Sequence, residues 1–115
     1  MKTIICDIDG TLIFHKGSQH AQITEDPDII SGTIEKLHEW DKKGYNIILI
    51  TGRREGVRKI TEKQLRDYGI IYDNLIMGIG RGPRVLINDK KPDSNEDTAI
   101  SINLIRNEGI SKVEV

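Results

Sequence analysis

Two carboxylates spaced i, i+2 open the chain's chemistry: Asp7 and Asp9, in Cys6-Asp7-Ile8-Asp9-Gly10-Thr11-Leu12. Alternate residues of a strand share a face, so both acids point the same way while the backbone stays extended. Gly10 then ends the strand and leaves them at its carboxyl tip. Carboxylates held this close repel each other unless a cation lies between them or one keeps a proton. The arrangement offers a hard oxygen site for Mg²⁺ beside a carboxylate nucleophile. A bare Asp-x-Asp would as readily be two surface acids. The apolar Thr3-Ile4-Ile5-Cys6 ahead of it and the Gly-Thr turn behind it favour the functional reading.

The elements that must position these acids follow from the apolar runs. Residues 3–8 are short, continuous and β-branched, the pattern of a buried strand. Residues 13–27 form a polar connection, long enough for a flap or hairpin over the site. It holds His15 and His20, which are read as surface loop histidines because no third nitrogen or sulfur ligand stands near. Asp26-Pro27 is a helix-start signal, Ile30, Ile34, Leu37 and Trp40 recur at helical spacing, and Gly44 closes the helix. Asn46–Thr51 is a second apolar strand. Strand, helix and strand make a βαβ unit, hence a parallel sheet with right-handed crossovers. A second helix is expected over about 56–68, with Val57, Ile60, Leu65 and Tyr68 inward. Residues 74–77 form a short third strand. Gly78, Gly80, Gly82 and Pro83 make a loop, and Arg84–Asn88 a fourth parallel strand ending at Asp89. The alternation in 98–104 favours a further strand over a helix in the tail 98–107, and Lys112–Val115 a last one.

At 115 residues the length allows one domain, 1–115. With no signal pattern and no apolar stretch near twenty residues, neither secretion nor a membrane span is expected. Cys6 is the only cysteine, so no internal disulfide forms, which fits a reducing cytoplasm. Alternation with Asp7 makes it a packed core thiol. Net charge is −1, unevenly spread: residues 53–91 hold ten bases and five acids, so the middle carries +5 and the ends −6. A basic middle beside an acidic strand tip suits an anionic substrate.

Three expected strand ends therefore carry matching chemistry: Asp7 and Asp9, then Thr51-Gly52-Arg53, then Asn88-Asp89. Open α/β sheets bind ligands outside the carboxyl ends of their strands. Asp7-Ile8-Asp9-Gly10-Thr11 resembles the first signature of the haloacid dehalogenase-like phosphohydrolases. Ile50-Thr51-Gly52-Arg53 resembles the second, and Ile87-Asn88-Asp89 the last. The resemblance covers about residues 3–91. It implies a Rossmann-like three-layer α/β/α fold with a mostly parallel sheet and, given the short connections, no cap domain. It also implies a phosphatase acting through an aspartyl-phosphate. Asp7 would attack phosphorus. Asp9 would protonate the leaving group and then activate water. Gly10, Thr11, Thr51, Gly52 and Arg53 would hold the phosphoryl group. Mg²⁺ would be bound by Asp7, the backbone carbonyl of Asp9, and Asp89.

The chain departs from the family pattern in two places. Where relatives carry a lysine before the last strand, it reads Gly80-Arg81-Gly82-Pro83-Arg84. Arg84 is the preferred replacement, ahead of Arg81, Lys90 and Lys91. Asn88 stands where many relatives have a second Asp. Residues 73–78 look most like small phosphosugar phosphatases of the capsule-associated kind. The expected substrate is a small phosphorylated metabolite such as a sugar phosphate, with a homo-oligomer supplying a lid. The alternatives are a polynucleotide 3′-phosphatase and a non-catalytic binding or regulatory domain. With five aromatics in the chain and none interleaving the basic residues, nucleic acid is the less favoured partner.

Overall fold

A computed structural model describes residues 1–115. The sheet has three parallel strands in the order β1-β2-β3: β1 Thr3–Asp7, β2 Asn46–Ile50 and β3 Asn74–Ile76. Asp7 pairs with Ile50, and Ile50 with Ile76, so all three strands end level. The helices are α1 Gln19–Thr24, α2 Thr33–Lys42 and α3 Arg58–Tyr68, the last preceded by a 3₁₀ turn at Glu55–Val57. This is an α/β fold with a parallel sheet, and no helix is long and apolar enough to cross a membrane. Cys6, Ile8, Ile47, Leu49, Leu37, Trp40 and Leu65 pack into one buried cluster. Trp40 lies in this core, as its helical spacing with Leu37 implies.

Five expectations need correction. The helix signal at Asp26-Pro27 does not start a helix. Asp26 has φ 44°, and α2 begins only at Thr33, after Gly32 at φ 89°. Residues 28–30 instead run beside 12–14, with Phe14 N–H donating to Asp28 O at 2.9 Å and Ile30 N–H to Leu12 O at 2.9 Å. Leu12 and Ile13 are fully buried, and their neighbouring backbone groups need partners at that depth.

The inward face of α3 is only partly the one expected. Leu65 is buried and Tyr68 packs against the core as expected, but Ile60 is exposed, and Thr61 and Gln64 are buried. The two polar residues turn inward because a buried guanidinium, Arg53, lies beneath them.

The fourth strand does not form, nor does one at 98–104. Residues 84–105 include none that is buried, and Val85 and Ile87 are 81% and 89% exposed. Arg84 reaches Asp7 at the carboxyl end of β1, so the residues after it have no β1 backbone alongside to pair with. A strand needs a ladder partner as well as an apolar pattern. The segment goes out and back as an arm. Near its tip Asn88 Nδ2 donates to Thr98 O at 3.4 Å, Thr98 Oγ1 donates to Asp89 O, and Lys90 Nζ donates to Asn95 O at 3.1 Å. The radius of gyration, 14.7 Å, exceeds the roughly 13 Å of a compact chain this long, as an arm requires.

Finally, Lys112–Val115 is not a strand. Ile110 enters the core, and Val113 and Val115 pack against it. Gly109, at φ 84°, lies so close to Ile30 that a Cβ would come within 2.6 Å of its Cγ2. The chain end is thus seated on the 28–32 segment.

The arm should be the first part cut by a protease. Brief trypsin treatment is expected to cleave after Arg84 or Lys90 before any site in α2 or α3. First cleavage inside those helices would contradict the exposed arm.

Candidate active site

Strand β1 delivers Asp7 and Asp9 to the level end of the sheet, and they meet different surroundings. Asp7 keeps about a third of its side chain exposed. Thr11 Oγ1 donates to its Oδ2 at 3.2 Å, and Arg84 Nη1 lies 3.8 Å from its Oδ1. Burial pushes the Asp7 carboxyl above the usual aspartate range, while Arg84 and then Thr11 pull it partway back. A carboxyl raised in the folded state is stabilising while protonated. Its contribution is lost as pH rises from the ordinary aspartate value through the raised one.

Asp9 is clamped. Arg53 Nε donates to Asp9 Oδ2 at 2.9 Å and Arg53 Nη2 to Oδ1 at 2.8 Å. Gln22 Nε2 donates to Oδ1 at 2.7 Å. Arg53 is 3% exposed, and its Nη1 donates to Thr61 Oγ1 at 3.1 Å and to Gln64 Oε1 at 2.6 Å. Gln64 in turn donates to Gln22 O at 2.8 Å, and Lys16 N–H donates to Gln22 Oε1. The expectation that Arg53 holds a phosphoryl group is therefore corrected: its fork is buried and committed to Asp9.

Thr51 ends β2 and is 1% exposed, its Oγ1 accepting from Arg53 N–H at 3.1 Å. Gly52 follows, with Ile79 O 3.2 Å from where a Cβ would stand. Gly10 has φ 87°, a conformation that glycine adopts without strain. Backbone N–H groups in this turn looked like phosphate donors, but they are used internally. Gly10 N–H goes to Ile13 O at 2.8 Å, and Thr11 and Leu12 N–H go to Ile8 O at 3.1 and 2.8 Å. The hydroxyl of Thr11, bound to Asp7, remains the polar group of this turn nearest the nucleophile position.

Of the basic candidates, the structure brings Arg84 to Asp7. Lys90 pairs instead with Asp97 at 3.6 Å on the arm. Asp89 is not brought to the pair. It is exposed on the arm, and no three His, Cys, Asp or Glu side chains gather where they could hold a metal ion. With Asp89 out on the arm, the expected set of Asp7, the Asp9 backbone carbonyl and Asp89 is not assembled, and the residues as placed do not complete a divalent-cation site.

Cys6 behaves as a core thiol. Burial first, and the Asp7 charge second, push it up to about 12, so it stays protonated.

Sequence reasoning missed Gln22, Gln64 and Thr61 as the supports of Arg53. It also missed the 106–107 segment. Asn107 N–H donates to Gly10 O at 2.7 Å, and His15 N–H donates to Asn107 Oδ1 at 2.8 Å. Gln22 and Gln64 carry no motif. The one available signal was Asn107 in a Asn-Glu-Gly turn, where a left-handed residue is favoured, and it does adopt φ 70°.

Two outcomes test this geometry. Arg53→Met leaves Asp9 largely buried without its cation. It should lower stability by about 2–3 kcal/mol in urea unfolding, below the roughly 3–5 kcal/mol of a fully buried broken pair because Asp9 is partly exposed. Less than about 0.5 kcal/mol would remove the clamp from the account. Arg84→Leu removes the main influence lowering the Asp7 carboxyl, so a carboxyl-carbon NMR titration should find Asp7 titrating at higher pH than in wild type. An unchanged or lower value would mean the two do not interact.

The comparisons with known proteins agree with this fold. A chain of the Pnkp1/Rnl/Hen1 complex is 32% identical with a TM-score of 0.58, the match covering 73% of this chain and 30% of that one. A second structure, of the Pnkp1/Rnl/Hen1 RNA repair complex, gives 33% and 0.58, covering 72% and 27%. The chain thus spans less than a third of either. A D,D-heptose 1.7-bisphosphate phosphatase from B. bronchiseptica, complexed with magnesium and phosphate, is 19% identical with a TM-score of 0.50, covering 70% and 52%, a likeness of fold alone. No curated protein sequence matches. The family described as PITM 1-3, LNS2 domain matches residues 4–83, more than half of the sequence, and the chain belongs to it.

Proposed function

We propose that residues 1–115 form a capless phosphatase unit that hydrolyses a phosphomonoester through an aspartyl-phosphate on Asp7. The observation that carries this is the division between the two acids. Asp7 is open to solvent with a cation beside it, and Asp9, two residues on, is fixed by a buried arginine. Two carboxylates given different surroundings take different roles.

In the first step an Asp7 oxygen forms a bond to phosphorus as the bond to the leaving alcohol's oxygen breaks. Asp9 supplies the proton that oxygen needs. In the second step Asp9 takes a proton from water, whose oxygen attacks phosphorus and releases the Asp7 carboxylate and inorganic phosphate. Both Asp9 oxygens accept from Arg53, a setting that suits the second step directly. Donating a proton in the first step requires one of these contacts to loosen. Arg84 lies where it can face a phosphoryl oxygen and stays charged throughout. Thr11 holds the other Asp7 oxygen in place.

Mg²⁺ dependence is proposed on the resemblance of Asp7-Ile8-Asp9-Gly10-Thr11 alone: Asp7 and the Asp9 backbone carbonyl would hold the ion, and Asp89 does not reach them as placed. The bond changes above are assigned to the chain's own groups. The substrate class favoured is a small phosphorylated metabolite such as a sugar phosphate, with a second copy of the chain as a possible source of a lid. One observation favours a second reading, hydrolysis at polynucleotide ends: the 32% identity to a chain of the Pnkp1/Rnl/Hen1 complex.

Phosphate release should be measured over sugar phosphates, mononucleotides and 3′-phosphorylated oligonucleotides, with and without Mg²⁺. Wild type is expected to turn over at least one class, and Asp7→Asn to lose it by a factor of about 10³ or more. Equal rates for the two proteins on every substrate would refute the phosphatase reading. Turnover of the oligonucleotides alone would replace the metabolite reading with the second one.

A further inference from the structure

Two arginines stand at the mouth of this site without an acidic partner. Arg106 lays its Cγ and Cδ 3.1 and 3.8 Å from where a side chain on Gly10 would begin. Arg81 lays its Cγ 3.7 Å from the same point on Gly52. Gly10 follows β1 and Gly52 follows β2, and those strands are neighbours that end level. The two stems therefore cross the two loops that flank Asp7 and Asp9. Both residues are exposed, and neither forms an ion pair, whereas Arg53 and Arg58 are each paired with an acid.

Glycine at both positions permits this approach. A Cβ at Gly10 would press on the Arg106 stem, and one at Gly52 would crowd Ile79 O. An arginine whose stem lies flat on a loop keeps its charged head in water beyond it. Here the two stems cross the loops that flank Asp7 and Asp9, so their heads have the reach to meet a group held at Asp7 and Arg84. A single phosphomonoester occupies Arg84. It leaves two full positive charges at the rim, each a planar fork suited to phosphate oxygens.

We infer that Arg81 and Arg106 form a cationic rim that binds a second phosphate of the substrate, next to the phosphomonoester at Asp7. The inference rests on the phosphatase reading and narrows it. The substrate class is a phosphomonoester with another phosphate close by, either a bisphosphorylated metabolite or a nucleotide chain bearing a terminal phosphate. The shared chemistry is the second phosphate.

Binding to the full chain carrying Asp7→Asn tests the rim without turnover. Three probes are titrated calorimetrically at low salt: adenosine 5′-monophosphate, adenosine 3′,5′-bisphosphate, and a dinucleotide with a terminal phosphate. The doubly phosphorylated probes should bind roughly tenfold tighter than the monophosphate, the effect of one added charge-assisted contact. That preference should shrink in about 0.5 M salt, where exposed charges are screened. It should fall to near unity when Arg81→Ala and Arg106→Ala are added, and return when both are lysine. Circular dichroism establishes that each variant is folded. Preference for the bisphosphate alone identifies a metabolite, and preference for the dinucleotide identifies a chain end. Equal affinity for all three probes overturns the rim, as does a preference that survives loss of both arginines.

Turnover by wild type separates the two claims. Hydrolysis with equal KM for mono- and bisphosphate overturns the rim and keeps the phosphatase. Binding preference with no hydrolysis of any probe or of any sugar phosphate keeps the rim and overturns the phosphatase.

Discussion

The ion pair between Arg53 and Asp9 is the constraint to which the rest of the site is fitted. A guanidinium 3% exposed has given up most of its hydration, and that loss is recovered only if its donors find acceptors in good geometry. Here Asp9 takes two of them, Thr61 one and Gln64 one. These acceptors come from the end of β1 and from α3. Gln64 and Gln22 then tie in the 13–27 insertion, so the flap is anchored at its middle. One buried charge thus fixes the tip of β1, the rotation of α3 and the path of the insertion.

The same pair sets the chemistry of its neighbour. With Asp9 neutralised by Arg53, Asp7 faces a compensated carboxylate. Its perturbation comes first from burial and only weakly from Asp9. The repulsion that makes a bare Asp-x-Asp demand a cation is met largely from within. That fits the scattered position of Asp89, which the structure leaves on the arm instead of beside the two acids.

The sequence made the parallel sheet legible. Continuous β-branched runs at 3–8 and 46–51, separated by a helix, leave little choice of topology. Of the four basic candidates, Arg84 is the one that reaches Asp7. Three things were not legible, each for a physical reason. Arg53 carries the same residue type whether it faces substrate or a buried acid, and its partners Thr61 and Gln64 lie on a helix face that hydropathy counts as outward. Residues 84–88 and 98–104 have strand patterns, but a pattern describes side chains and cannot supply a backbone partner. The contact of Asn107 with Gly10 joins segments so far apart in sequence that no local periodicity could report it.

That last contact has a kinetic meaning. The turn after β1 is synthesised well before Asn107, the residue that closes it. At about 5–20 residues per second, roughly 5 to 20 s separate the two during translation. The strand carrying the acids can pair with β2 well before then. The turn that follows its two acids has to wait, so a nascent chain holds a paired sheet while the loop beside Asp7 and Asp9 is still open.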